Sequence, residues 1–94
     1  MSYSVVVSDD ARDFLRALDV KSKRVCKKNL GKLSCPYPGR GSGDKERLVV
    51  DGKEMYRLHI GRTYTAFYSI DEGDKMVRVL EVLSIKAAHK KYGF

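Results

Sequence analysis

Two side chains in the segment Glu54-Met55-Tyr56-Arg57-Leu58-His59-Ile60-Gly61 could do chemistry together. Its polar and apolar residues alternate with the period of a β-strand. Arg57 and His59 therefore share one face with Met55, while Tyr56, Leu58 and Ile60 share the other. A guanidinium is always charged and can grip an anion through two parallel N–H groups, and an imidazole exchanges a proton near neutral pH. Side by side they can hold an anion and move a proton next to it. His89, Lys90, Lys91 and Tyr92 form a second polar set near the end of the chain. Cys26 and Cys35 form no CxxC motif, and with the two histidines they match no zinc-finger spacing. The thiols are read as reduced and structural, and no metal or cofactor is expected.

The chain has 94 residues, a net charge of +7 and 43% hydrophobic content, enough for one domain over residues 1–94 with a modest core. No apolar run approaches the ~18 residues of a membrane span, and the first residues lack the basic and apolar regions of an export signal. The expected setting is cytoplasmic. The charge is unevenly placed: residues 1–19 sum to −2, residues 20–47 to +7 and residues 75–94 to +4. Concentrated positive charge attracts polyanions, so a nucleic acid or an acidic protein is the expected partner. On a helix the same charge also serves as a solvated face.

The elements that must position these residues follow from periodicity. Tyr3–Val7 is a short β-branched run, and Ser8 is a credible N-cap with Asp9 and Asp10 behind it. Ala11, Phe14, Leu15 and Leu18 recur at helical spacing, and a second helix is expected from about Lys21 to Leu33 with Val25, Cys26, Leu30 and Leu33 inward. The Pro- and Gly-rich stretch 36–43 matches neither GxGxxG nor a Walker loop and reads as a connector. Four strands follow, Leu48–Val50, Met55–Ile60, Tyr64–Ile70 and Met76–Leu83, joined by short turns suited to antiparallel hairpins. The last strand is apolar on both parities except at Arg78 and Glu81, as in a central strand. Ser84 caps a possible helical turn that ends by Gly93.

This order, with Glu54–Gly61, Thr63–Ile70 and Lys45-Glu46-Arg47-Leu48, resembles the RelE/ParE toxin superfamily. Members carry a Tyr-Arg-hydrophobic-basic-hydrophobic-Gly segment, a turn, and a Tyr-Arg-hydrophobic-hydrophobic-Tyr strand. The resemblance implies an α+β fold: a small antiparallel sheet of four to five strands, an N-terminal helical hairpin packed on one face, and an open basic face opposite. RelE-type members cleave mRNA in the ribosomal decoding site, ParE-type members inhibit DNA gyrase, and a cognate antitoxin neutralises both. The implied partners are that antitoxin, in a heteromeric toxin–antitoxin complex, together with ribosome and mRNA. The implied catalytic residues are Arg57, His59, His89 and Tyr92, with Lys45, Arg47, Arg62, Lys90 and Lys91 contacting RNA or phosphate. One position departs from the pattern, because Thr65 stands where active relatives have Arg. That departure favours the alternatives, a gyrase-binding toxin without catalysis or a catalytically weakened basic nucleic-acid-binding domain. Phe67, on the parity of Thr65, is expected to pack in a hydrophobic layer or stack on a base.

Overall fold

The computed structural model describes residues 3–34 and 45–93. Cys35 and the Pro- and Gly-rich stretch lie outside the described residues. The β-branched run forms β1 (Ser4–Val7), and Ser8 turns the chain into α1 (Asp9–Arg16) by accepting a hydrogen bond from the Ala11 amide at 3.1 Å. Asp19 caps α2 (Val20–Leu30) in the same way through the Ser22 amide, and a 3-10 turn continues it over Gly31–Ser34. The expected single helix to Leu33 thus tightens at its end. Cys26, Leu30 and Leu33 are buried, whereas Val25 is 40% exposed, because a residue adjacent to Cys26 is rotated by about 100° off that stripe.

The sheet consists of β1, β2 (Lys45–Val50), β3 (Lys53–Ile60), β4 (Tyr64–Asp71) and β5 (Met76–Ser84), in the order β1-β5-β4-β3-β2. Asp51 and Gly52, with φ of 52° and 78°, make the two-residue turn between β2 and β3 that an Asp-Gly pair favours. From β2 to β5 the neighbours are antiparallel, as expected, but β1 lies parallel to β5, so the whole sheet is mixed. The helical hairpin carries the chain across the sheet after β1, and a crossover is the connection that makes parallel pairing possible.

A register shift in β5 sets which residues face the helices. Tyr68 pairs with Val79 but Phe67 pairs with Glu81, so Leu80 is an extra residue. Without it, Val77, Val79 and Val82 could not all turn to one side, yet all three belong to the main core under the helices. Ser8 secures the irregularity: its amide donates to the Val79 carbonyl at 2.9 Å and its hydroxyl to the Leu80 carbonyl at 2.7 Å. Cys26 is fully buried in this core, and burial raises its thiol pKa, keeping it neutral.

The opposite face of the sheet is not open. The tail forms α3 (Ile85–Tyr92), capped by Ser84 and closed by left-handed Gly93, and it packs on that face. Leu48, Phe67 and Ala88 are buried there, with Met55, Leu83 and Tyr92 against them. The expected open basic face is therefore corrected to one partly roofed by a helix. No helix among the described residues is long and apolar enough to cross a membrane.

Because Ser8 both caps α1 and holds the β5 irregularity, Ser8→Ala is expected to lower unfolding free energy by about 1–2 kcal/mol. Ser84→Ala, which removes only a cap on α3, is expected to lose less. Urea unfolding of the two variants checks the order.

Candidate active site

Pairing across the sheet builds the site. Glu46 on β2 lies opposite Arg57 on β3, Arg57 opposite Phe67 on β4, and Phe67 opposite Glu81 on β5. One row thus crosses four strands on the face that α3 covers, with a carboxylate at each end. Residues directly opposite in antiparallel strands project to the same side and touch.

At one end, Glu46 Oε1 accepts hydrogen bonds from an Arg57 guanidinium nitrogen and contacts His59 Nε2, both at 2.7 Å. The Arg57 side chain is only 13% exposed, so the carboxylate compensates a charge that water reaches poorly. Hydrogen bonding from His59, and then from Arg57, holds the Glu46 carboxyl below its ordinary value of 4.5. At the other end, both oxygens of Glu81 are engaged at 2.7 Å, Oε1 by the Tyr92 hydroxyl and Oε2 by Lys91 Nζ. Burial pushes the Glu81 pKa up, but the bonds from Lys91 and Tyr92 together outweigh it and the net shift is downward. Burial, and then the bond to Glu81, raises the Tyr92 hydroxyl, which stays protonated at neutral pH. Between the two ends the Phe67 ring is fully buried and packs against Tyr92 with centroids 4.7 Å apart. Phe67 is a packing residue here and offers no face to a base.

Arg57, His59, Lys91 and Tyr92 therefore belong to one surface. His89 and Lys90 are exposed on α3, and His89 lines a shallow hollow with Arg62, Thr63, Ser84, Ile85 and Lys86. Lys45 and Arg47 are placed elsewhere: they pair with Leu58 and Tyr56, so they lie on the face of the main core, and Arg47 forms an ion pair with Glu54. Thr65 lies opposite His59, 2% exposed, and its hydroxyl donates to the Leu58 carbonyl at 3.2 Å. That position supplies a buried hydrogen bond where the resemblance expected a cation.

Glu46 and Glu81 are the members of this site that periodicity did not single out. Glu81 left a trace as a polar interruption in an apolar strand. Glu46 left none, because its role depends on the register between β2 and β3.

The comparisons bear on this arrangement through the fold. No family model and no curated protein matches the sequence. Among solved structures, the RelBE2 toxin–antitoxin complex of Mycobacterium tuberculosis aligns at TM-score 0.74 and 25% identity, covering 89% of this chain and 99% of that one. The archaeal RelE–RelB complex of Pyrococcus horikoshii OT3 aligns at TM-score 0.71 and 24% identity, over 89% and 96%. The chain has the RelE-like toxin fold. The YoeB dimer of Staphylococcus aureus, at TM-score 0.64 and 17% identity over 86% and 94%, shares the RelE-like architecture. In this RelE-like chain the sheet face opposite the helical hairpin carries both carboxylate-held clusters.

Both carboxylates have folded-state pKa values below their unfolded ones. They add stability above the ordinary carboxylate range and lose it as pH falls through the folded values. Glu46→Gln is therefore expected to be less stable than wild type at neutral pH, with the two curves converging below about pH 4. Unfolding free energies across pH 3–7 check this; curves that stay parallel would count against the ion pairs.

Proposed function

We propose that the chain is the toxin of a toxin–antitoxin pair and that it cleaves mRNA on the ribosome, in the cytoplasm. The observation that carries this reading is the single Glu46 oxygen shared by Arg57 and His59. Cleavage of an RNA strand requires the ribose 2′-OH to lose its proton as its oxygen bonds to phosphorus. The bond from phosphorus to the 5′-oxygen then breaks, and that oxygen takes up a proton. Arg57 can neutralise the charge that builds on phosphorus, with two donors fitted to phosphate oxygens. His59 can accept the 2′-OH proton through a ring that Glu46 orients, as a carboxylate orients a catalytic histidine elsewhere. Tyr92 keeps its proton at neutral pH and can hand it to the leaving oxygen, with Lys91 beside it to balance the tyrosinate. The incoming phosphate must compete with Glu46 for Arg57. Thr65 supplies no second guanidinium, a loss of about 10²–10³ in rate relative to a site that has one.

The relatives in the archaeal and mycobacterial complexes are held with their antitoxins, and a groove on this chain suits such a partner. It runs along β1 between the two helices, with Val5, Leu15 and Leu30 as apolar lining and Arg12, Arg16, Lys23 and Lys27 as cationic lining. An acidic amphipathic segment complements both features.

Primer extension on a translated mRNA tests the nuclease reading. Wild type is expected to cleave, and Arg57→Ala to fall by about 10²–10³. Background cleavage by wild-type protein that still binds ribosomes would overturn it. A gyrase supercoiling assay then tests the binding-only alternative, which the buried Thr65 favours.

A further inference from the structure

Glu81 reaches the α3 face of the sheet only because β5 carries an extra residue. Tyr68 pairs with Val79, and continuing that register would set Glu81 opposite Ala66, which belongs to the main core under the helices. The irregularity at Leu80 instead sets Glu81 opposite Phe67, on the other face. Bulges beside functional sites re-aim a side chain in this way. Ser8 holds this one through both its amide and its hydroxyl. The side chain so aimed grips two groups of α3 at once. Lys91 and Tyr92 are consecutive, about 100° apart around the helix, yet each engages one oxygen of Glu81 at 2.7 Å. Tyr92 is the last residue of the eight-residue α3, at an end where helices fray. Its ring rests against Phe67 and its hydroxyl is tied to Glu81, so both its place and its rotation are set. The Glu81 side chain is 24% exposed, and Lys91 balances its charge.

We infer that Glu81 is the positioning residue for Tyr92, holding its hydroxyl where it can act as the proton donor to the leaving oxygen. The inference rests on the nuclease reading for that donation, and on the geometry alone for the hold. Arg57, Phe67 and Glu81 lie on successive strands, so about 10 Å separates the strand of the cation from the strand that anchors the phenol, room for a phosphodiester between them. As the phenol O–H bond breaks, the proton passes to the 5′-oxygen and the hydroxyl gives up its bond to Glu81. Lys91, on the same carboxylate and 5.3 Å from the ring centroid, balances the tyrosinate that remains. Glu81 itself exchanges no proton in this step. Burial, and then the bond to Glu81, make the phenol harder to ionise, so placement and acidity pull in opposite directions. That opposition separates the two roles by experiment.

Cleavage of a translated mRNA by Glu81→Leu, Tyr92→Phe and the double variant, read by primer extension, makes the test. Glu81→Leu is expected to cleave about tenfold more slowly, a part of the 10²–10⁴ that a positioned general acid supplies. Glu81→Gln, which keeps an oxygen for the hydroxyl, is expected to recover most of that loss. In the Tyr92→Phe background, Glu81→Leu is expected to change the rate by less than about twofold, because the two residues act as one unit. Cleavage by Glu81→Leu at or above the wild-type rate would overturn the assignment, since acidity and not placement would then govern Tyr92. An equal loss in both backgrounds would overturn it too, since Glu81 would then act through the fold alone. Ultraviolet titration of the Tyr92 phenol, taken as the difference from Tyr92→Phe, reads the hold with no RNA present. Glu81 and Lys91 are the charged groups that bear on this phenol, and its pKa is expected to fall in Glu81→Leu. An unchanged titration would overturn the hold. Wild-type protein whose titration shifts in this way but which cleaves no mRNA would remove the nuclease reading and leave the hold on Tyr92 standing.

Discussion

A nearly buried guanidinium on a sheet face requires a counter-charge, and Glu46 supplies it. The contact decides more than the position of Arg57. Because the same oxygen reaches His59, one carboxylate fixes the relative placement of the cation and the imidazole that could act on a phosphodiester. It also neutralises part of the surface on which a polyanion would land. A phosphate arriving there would meet a carboxylate already in place, so its binding would be an exchange of partners.

The rest of the fold keeps that row intact. The extra residue at Leu80 lets β5 turn its valines to the helices while Glu81 faces the other way. Ser8 binds this irregularity to the start of α1, linking the helical hairpin to the strand that carries Glu81. On the far side, α3 brings Tyr92 and Lys91 down onto Glu81 and presses Tyr92 against Phe67. The two carboxylate clusters are thus ends of one structure, with the Phe67 ring as the rigid spacer between them. Charge that looked continuous in the sequence divides in space: the cations of α2 border the groove along β1, and those of the turn and α3 border a separate hollow.

Local features of this molecule were legible from its residues. Period-two alternation placed Arg57 and His59 together and Leu58 in the core, and Asp51-Gly52 marked a tight turn, because both depend on near neighbours in the chain. The family resemblance anticipated the order of elements, and the structural relatives share it. What stayed hidden depends on long-range register. Nothing local reveals that Glu46 faces Arg57, that β1 pairs in parallel with β5, or that α3 roofs the supposedly open face. Lys45 and Arg47, which the resemblance placed among the phosphate contacts, lie on the other face from Glu46, because a shift of one position along β2 moves a side chain across the sheet.

The coupling between Glu46 and Arg57 tests the account most directly. A double-mutant cycle with Glu46→Gln and Arg57→Gln, read in unfolding free energy at neutral pH, isolates that pair from their other contacts. The account predicts a favourable coupling of about 1 kcal/mol, moderated by the partial exposure of Glu46. Additive effects with no coupling would contradict it, because the carboxylate would then not be what holds the cation on that face.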